Sequence, residues 1–187
     1  MADPLTRAAT LVEALAAIDA RGTVKPSDPE SGAGRGERFV QLSIAMAHYA
    51  VPESFVTELD RVPPITPVPR VPAWLRGVTS LRGDILSVVD MRTFLGLEPA
   101  SPHSARMLVV RLPDEEFAAG LIVDTVDRIV AIPGAEIRPP AAPLDGPLVA
   151  YLRGVCTIGD RLVAVLDLDR LLRSSDIRQF EDGKDRG

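Results

Sequence analysis

LRGVTSLRGDILSVVDMRTFL (residues 75–95) and LRGVCTIGDRLVAVLDLDRLL (residues 152–172) are two versions of one sentence, aligned without a gap. Leu75/Leu152, Arg76/Arg153, Gly77/Gly154, Val78/Val155, Val88/Val165, Asp90/Asp167 and Leu95/Leu172 are identical pairs. Most other positions exchange one aliphatic residue for another. The turn departs from the repeat: Arg82-Gly83-Asp84 stands opposite Gly159-Asp160-Arg161. An apolar run, a Gly-containing turn and a second apolar run read as a hairpin. The spacing places strands at 77–81 and 85–89 in the first copy, and at 155–158 and 162–166 in the second. A short helix follows Asp90 and another follows Asp167. A repeat present only twice is not a solenoid, so it points to two similar half-domains.

The repeat continues upstream. Arg38-Phe39-Val40-Gln41-Leu42 lies over Arg106-Met107-Leu108-Val109-Val110, and FVTELDRVPPI (residues 55–65) over IVDTVDRIVAI (residues 122–132). Each copy spans about sixty residues, near the lower limit of what folds alone, so the two are expected to pack together. The expected lobes are contiguous, about 38–97 and about 106–172, joined by EPASPHSA. In the first lobe, 39–44 alternates, with Val40, Leu42 and Ile44 on a buried face and Gln41 and Ser43 on the other. Residues 49–51 form a second strand, ending at Pro52. In the second lobe, strands are expected at 107–112 and 117–123. The stretch 63–72 holds Pro63, Pro64, Pro67, Pro69 and Pro72, and must be extended rather than helical or centrally paired. The stretch 137–147 is similar. Many short strands with Gly and Pro turns indicate small antiparallel barrels.

Outside the repeat, residues 4–20 carry Leu5, Ala8, Val12 and Leu15 at helical spacing, with Asp3 as a cap and Gly22 as a stop. Residues 22–37 are rich in Gly, Pro, Ser and charge, the composition of a flexible linker. Residues 174–187 are expected to hold a short helix before a charged tail.

Composition narrows the function. The chain has 187 residues, 46% hydrophobic and 25% charged, with a net charge of -5 and 4% aromatic residues. An acidic, aromatic-poor chain lacks the basic footprint and stacking platforms of a nucleic-acid binder. Cys156 is the single cysteine. It sits in an apolar strand pattern, which predicts a buried structural thiol. No apolar run reaches the ~18 residues that span a bilayer, and the N-terminus lacks the basic start and continuous apolar core of a signal peptide. These readings predict a cytoplasmic protein without direct membrane insertion.

Catalytic constellations are missing from the pattern. His48 and His103 have no companions at metal-ligand spacing, and no phosphate loop or nucleophile elbow is present. No metal or cofactor is expected. Asp90 and Asp167 could be read, with Glu58, as the acid and base of a β-barrel enzyme. Each aspartate, however, stands where a strand becomes a helix, the position of an N-cap. Gly77 and Gly154 are expected to allow close backbone approach or a bulge.

PVPRVPAWLRGVTSLRGDILSVVDMRTFLGL (residues 67–97) resembles the signature of CheW-type chemotaxis coupling proteins: a proline-rich approach, G-V-x-x-L-R-G, an aliphatic strand and V-D-[LM]-R. VTEL (56–59), AGLIVDTVDRIV (119–130), AEIRPP (135–140) and 151–172 resemble further family segments, in order. The resemblance implies a mainly β fold of two SH3-like five-stranded barrels, with a helical N-terminal extension added. It implies no catalysis. It implies partners: the cytoplasmic tip of a methyl-accepting chemotaxis receptor, the regulatory domain of a CheA-type histidine kinase, and other CheW-like domains within receptor arrays at the membrane. A scaffold for a non-flagellar chemosensory array is the alternative within the same class. Carried over residue by residue, the partner-binding set is Val56, Glu58, Gly77, Leu81, Arg82, Val88, Gly120, Ile122 and Val126, with Arg82 and Glu58 expected within hydrogen-bond reach. For Val56, Leu81, Val88, Ile122 and Val126 the competing reading is plain core. Ser87 stands where the family has proline, and SIAMAHYAVP lacks the family's Gly or acidic turn.

Overall fold

The structure, a computed structural model, describes residues 36–99, 104–140 and 147–178. The expected N-terminal helix, the linker as far as residue 35, His103 and the end of the tail lie outside the described residues, and Glu37, expected to end the linker, instead begins the first strand. Ten strands are described: β1 (Glu37–Ile44), β2 (Ala47–Pro52), β3 (Val56–Arg61), β4 (Leu75–Leu81), β5 (Asp84–Asp90), β6 (Arg106–Arg111), β7 (Ala118–Val123), β8 (Thr125–Ile132), β9 (Leu152–Ile158) and β10 (Arg161–Leu166). Short helices α1 (Met91–Phe94), α2 (Leu168–Leu172) and α3 (Ser175–Arg178) close the two hairpin units and begin the tail.

The strands form two five-stranded sheets, ordered β8-β1-β2-β10-β9 and β3-β6-β7-β5-β4. If the strands of each repeat are ranked by chain order, both sheets read third, first, second, fifth, fourth. The repeat is therefore real in three dimensions. The contiguous lobes 38–97 and 106–172 are not: the first hairpin of each copy belongs to the other copy's sheet. β2 pairs in parallel with β10, and β7 in parallel with β5. A single 3-10 turn, Glu53–Phe55, carries the chain from β2 in one sheet to β3 in the other. A sequence repeat establishes which strands are equivalent. It is silent on which copy they pair with, because both arrangements offer the same neighbours.

The central strands of both sheets are buried on two sides. Val40, Leu42, Tyr49, Val89, Leu108, Leu121, the β10 residues Leu162, Ala164 and Leu166, and the helix residues Phe94 and Leu171 join a core shared between the sheets. Phe39, Ala50, Val163 and Val165 face a second core under one sheet, and Leu86, Val88, Met107 and Ile122 a third under the other. Gln41, expected on a solvent face, is buried for the same two-sided reason, and its side-chain oxygen accepts from Arg128 Nε at 3.3 Å. Cys156 lies in the second core, where burial pushes its thiol pKa up to about 11.

Residues 63–68 and 137–140 of the proline-rich stretches run without helix, and the first then turns at Pro69-Arg70, where Arg70 has φ 61°; Ile65 packs on the third core and Ile137 on the second, and residues 141–146 lie outside the described residues. Thr66 bridges to Val78 and Arg138 to Val155, at equivalent places in the two copies. The glycines beside these bridges explain themselves. A Cβ on Gly77 would stand 2.1 Å from the Thr66 carbonyl oxygen, and one on Gly154 2.7 Å from that of Arg138. Gly77 also has φ +133°, a conformation side chains rarely adopt. The aspartates cap. Asp90 Oδ1 accepts from the Thr93 N–H at 3.2 Å, and Asp167 Oδ1 from the Arg170 N–H at 3.0 Å.

Two strands, β3 and β8, go beyond the direct reading of strand patterns, although the family resemblance implied five per unit. The first hairpin turns on Ala45-Met46, since Ile44 pairs with Ala47. Ala45 takes φ 55° there without glycine, and its N–H donates to Asp124 Oδ2 at 2.7 Å. Asp124 also receives both Arg92 Nε (2.7 Å) and Nη2 (2.8 Å). This ties the exchanged hairpin β1–β2 to α1 of the opposite sheet.

Candidate functional site

β3 and β8 are edge strands, one from each sheet, and a groove of about 460 Å³ runs between them. Val40, Val56, Leu59, Leu108, Val126 and Ile129 supply its apolar lining, and Glu53, Glu58, Asp127 and Arg128 its charges. Each wall is irregular. The register shifts between Val56 and Glu58 against β6, and between Gln41 and Leu42 against β8. Such bulges bend an edge strand and re-aim its side chains. Leu59 is 49% exposed and Ile129 50%. Large apolar side chains left open on opposing walls of a groove mark a surface suited to binding a partner.

Arg82 joins the groove from the β4–β5 turn. Its Nη2 donates to Glu58 Oε1 at 3.2 Å, the contact expected from the sequence. Glu58 is largely covered, whereas Arg82 is open to solvent. Arg82 has φ 51° and Gly83 φ 97° in a two-residue loop, since Leu81 pairs with Asp84. Left-handed backbone at both central positions is the hairpin geometry that favours Asn-Gly or Gly-Gly. An arginine there costs about 1 kcal/mol of backbone strain. Next to it, Arg111 Nη2 donates to Asp84 Oδ2 at 3.0 Å and ties the turn to β6.

The nine sequence-derived residues therefore separate. Val56, Glu58 and Val126 line the groove, and Arg82 reaches it through Glu58. Leu81 is half-buried against the core under β4–β7. Val88 and Ile122 are buried in that same core and present no surface, so as contact residues they are corrected to core. Their strands are central, with neighbours on both sides. Gly120 keeps room for Met107, whose Sδ would lie 2.7 Å from an added Cβ, and Gly77 keeps room for the proline-rich stretch. Leu59, Ile129, Asp127 and Arg128 were missed. The signal that could have found them is the weak upstream repeat, which places 55–65 over 122–132 and so marks both walls as one element.

The CheW-like domain family matches residues 38–176, which spans all ten strands and the groove. The chain belongs to the CheW-type family of chemotaxis coupling proteins. It is 28% identical to the chemotaxis protein CheW of Rhizobium meliloti over 75% of this chain and 90% of that one. It is 32% identical to the protein FrzA of Myxococcus xanthus, over 74% of this chain and 87% of that one. Its fold is similar to the crystal structure of the scaffolding protein TtCheW from Thermoanaerobacter tengcongensis, with a TM-score of 0.65, 26% identity, and coverage of 75% of this chain and 95% of that one. In this CheW-like chain, no helix among the described residues is long and apolar enough to cross a membrane.

Proposed function

We propose that the chain is a non-catalytic adaptor that joins the cytoplasmic tip of a methyl-accepting chemotaxis receptor to the regulatory domain of a CheA-type histidine kinase. The observation that carries this reading is the groove between β3 and β8, which combines an apolar lining with charged residues, among them Glu58 of the Arg82–Glu58 pair. A helix laid in such a groove would bury Leu59 and Ile129, and the charges would set its register. The two five-stranded sheets, each with its own outer core, support reading them as SH3-like barrels that leave separate faces for separate partners. Asp90 and Asp167 are committed to helix caps, which argues against an acid-base pair. The expected place of work is the cytoplasm, at receptor arrays, alongside other CheW-like domains.

The test is calorimetric titration of the full chain with a receptor-tip fragment and with a kinase regulatory domain from the same cell. Micromolar dissociation constants, about -8 kcal/mol, are expected. Well-folded partners that release no heat and do not co-elute would overturn the adaptor reading. The likeness to FrzA favours a second reading, a scaffold of a non-flagellar chemosensory array. Co-purification with the native receptor and kinase separates the two.

A further inference from the structure

Among the described strands the chain passes from one sheet to the other twice, and each passage opens a wall of the groove. β2 leaves its sheet at Pro52, and the chain enters the other as β3 after the turn Glu53–Phe55. β7 leaves at Val123, and the chain returns as β8 after a single residue, Asp124. Phe39 pairs with both Pro52 and Val130, so the first crossing lies beside the far part of β8. Arg106 pairs with both Arg61 and Val123, so the second lies beside the end of β3. Each wall therefore starts at the crossing beside which the other stops.

The two crossings are held differently. At the first, Glu53 meets Arg38, whose side chain is 62% exposed. Such a pair is weakened by water and salt. At the second, the Asp124 side chain is only 16% exposed and gathers donors from both sheets. Arg92 of α1, which follows β5 of one sheet, donates Nε to Oδ1 and Nη2 to Oδ2. Ala45, in the β1–β2 turn of the other sheet, donates its N–H to Oδ2. The Asp124 N–H donates to the Ser43 carbonyl of the same hairpin at 3.1 Å. A guanidinium–carboxylate fork fixes orientation as well as distance, which a single ion pair does not. An apolar groove selects by shape, so a wall spacing set in advance lowers the cost of binding. Neither Arg92 nor Asp124 lines the groove.

We propose that Arg92 and Asp124 are positioning residues of the β3–β8 groove: their fork, together with the Ala45 N–H, holds the two sheets at the spacing a partner helix fits, without touching the partner. The effect on affinity rests on the reading of this groove as the receptor site; the spacing of the walls does not.

Two measurements on the full chain decide this. In the first, Asp60→Cys and Asp127→Cys place a spin label on each wall, where both side chains are exposed, while Cys156 is buried and stays unlabelled. Dipolar spectroscopy then reads the distribution of wall-to-wall distances. Arg92→Lys keeps the charge and loses the fork, and Asp124→Asn keeps an acceptor and loses the charge. A narrow distribution is expected in the parent and a broader one in both variants, under conditions where circular dichroism shows every chain folded. Arg38→Ala, at the exposed crossing, is expected to leave the distribution narrow. An unchanged distribution in any folded variant of Arg92 or Asp124, or equal broadening in Arg38→Ala, would overturn the positioning role. In the second, the unlabelled chains are titrated with a synthetic helical peptide of a receptor tip. Arg92→Lys is expected to bind about fivefold more weakly, the factor set by the fraction of chains that hold the binding spacing. Broadened distances with unchanged affinity would overturn the link to binding and leave the clamp. A peptide that binds no chain, the wild type included, would sink the receptor reading, while the distances would still decide the clamp.

Discussion

In the β4–β5 hairpin Leu75 pairs with Val89, Gly77 with Val88, and Arg76 sits in the bulge between them; in the β9–β10 hairpin Leu152 pairs with Leu166, Gly154 with Val165, and Arg153 sits in the bulge. Both hairpins press a glycine against a proline-rich stretch, and both end in a capping aspartate. They part company at the charges. Arg76 turns back to the buried Asp90 at 3.3 Å, whereas Arg153 reaches Glu37 of β1 at 2.6 Å and lies over the Phe39 ring. They part again at the loop, where Arg82 holds a left-handed conformation that Gly159 adopts freely. What the copies share builds the fold. Of what they do not share, Arg82 is exposed and reaches the groove through Glu58.

The largest test of this equivalence is at the glycines. Gly77→Ala is expected to cost about 3 kcal/mol and Gly154→Ala about 1–2 kcal/mol, because position 77 combines the tighter contact with a positive φ. Urea midpoints at constant slope measure both. Equal losses would mean that the two contacts relax alike and that backbone conformation adds nothing.

The caps come next. Asp90 is buried and serves both a helix N-terminus and Arg76, so Asp90→Ala should destabilise by about 2 kcal/mol. Asp167→Ala, a cap nearer to solvent, should cost about 1 kcal/mol. The reverse order by thermal melting would show that the Arg76 contact contributes nothing.

Exchanging the loops reads fold and function apart. Arg82→Gly should leave stability unchanged or raise it by up to ~1 kcal/mol while weakening receptor-tip binding at least about fivefold. Gly159→Arg should destabilise by about 1 kcal/mol and gain no binding. If Arg82→Gly binds normally, the arginine is an ornament of the turn.

The smallest effect is expected from the ion pair itself. A double-mutant cycle on Arg82 and Glu58 should give a stability coupling of ~0–1 kcal/mol, since Arg82 is solvent-exposed. A coupling well above that would make the pair part of the scaffold rather than of the surface.

The duplicated hairpins, their caps and the glycine contacts were legible because they repeat at a constant offset and carry unbroken apolar runs. β3 and β8 were not read directly as strands. VTELDR is almost wholly exposed or half-exposed, and TVDRIVAI buries only Ile132 fully, so neither shows the one-sided alternation of a half-buried strand. The bulges at these strands break the period further. These are the groove walls, and the features that hid them, polarity and exposed edges, are what a binding surface requires. The pair Arg82–Glu58 was legible from the family signature, since no local spacing links a turn to a strand 24 residues earlier. Val88 and Ile122 looked the same as groove residues in sequence. Only the strand order, which puts both in the middle of a sheet, separates an aliphatic contact from an aliphatic core.

The exchanged hairpin also imposes a timetable. β1 and β2 emerge early in synthesis, but their partners β8 and β10 follow only after roughly 75 and 110 further residues, several seconds at ~5–20 residues per second. Throughout that interval Tyr49, Phe39 and Leu42 have no sheet to enter. Neither half can rehearse its final form alone, so the chain commits late and as a whole, with the long-range pairing that slows folding. Until β10 arrives, the first hairpin depends on whatever keeps its edges from other chains.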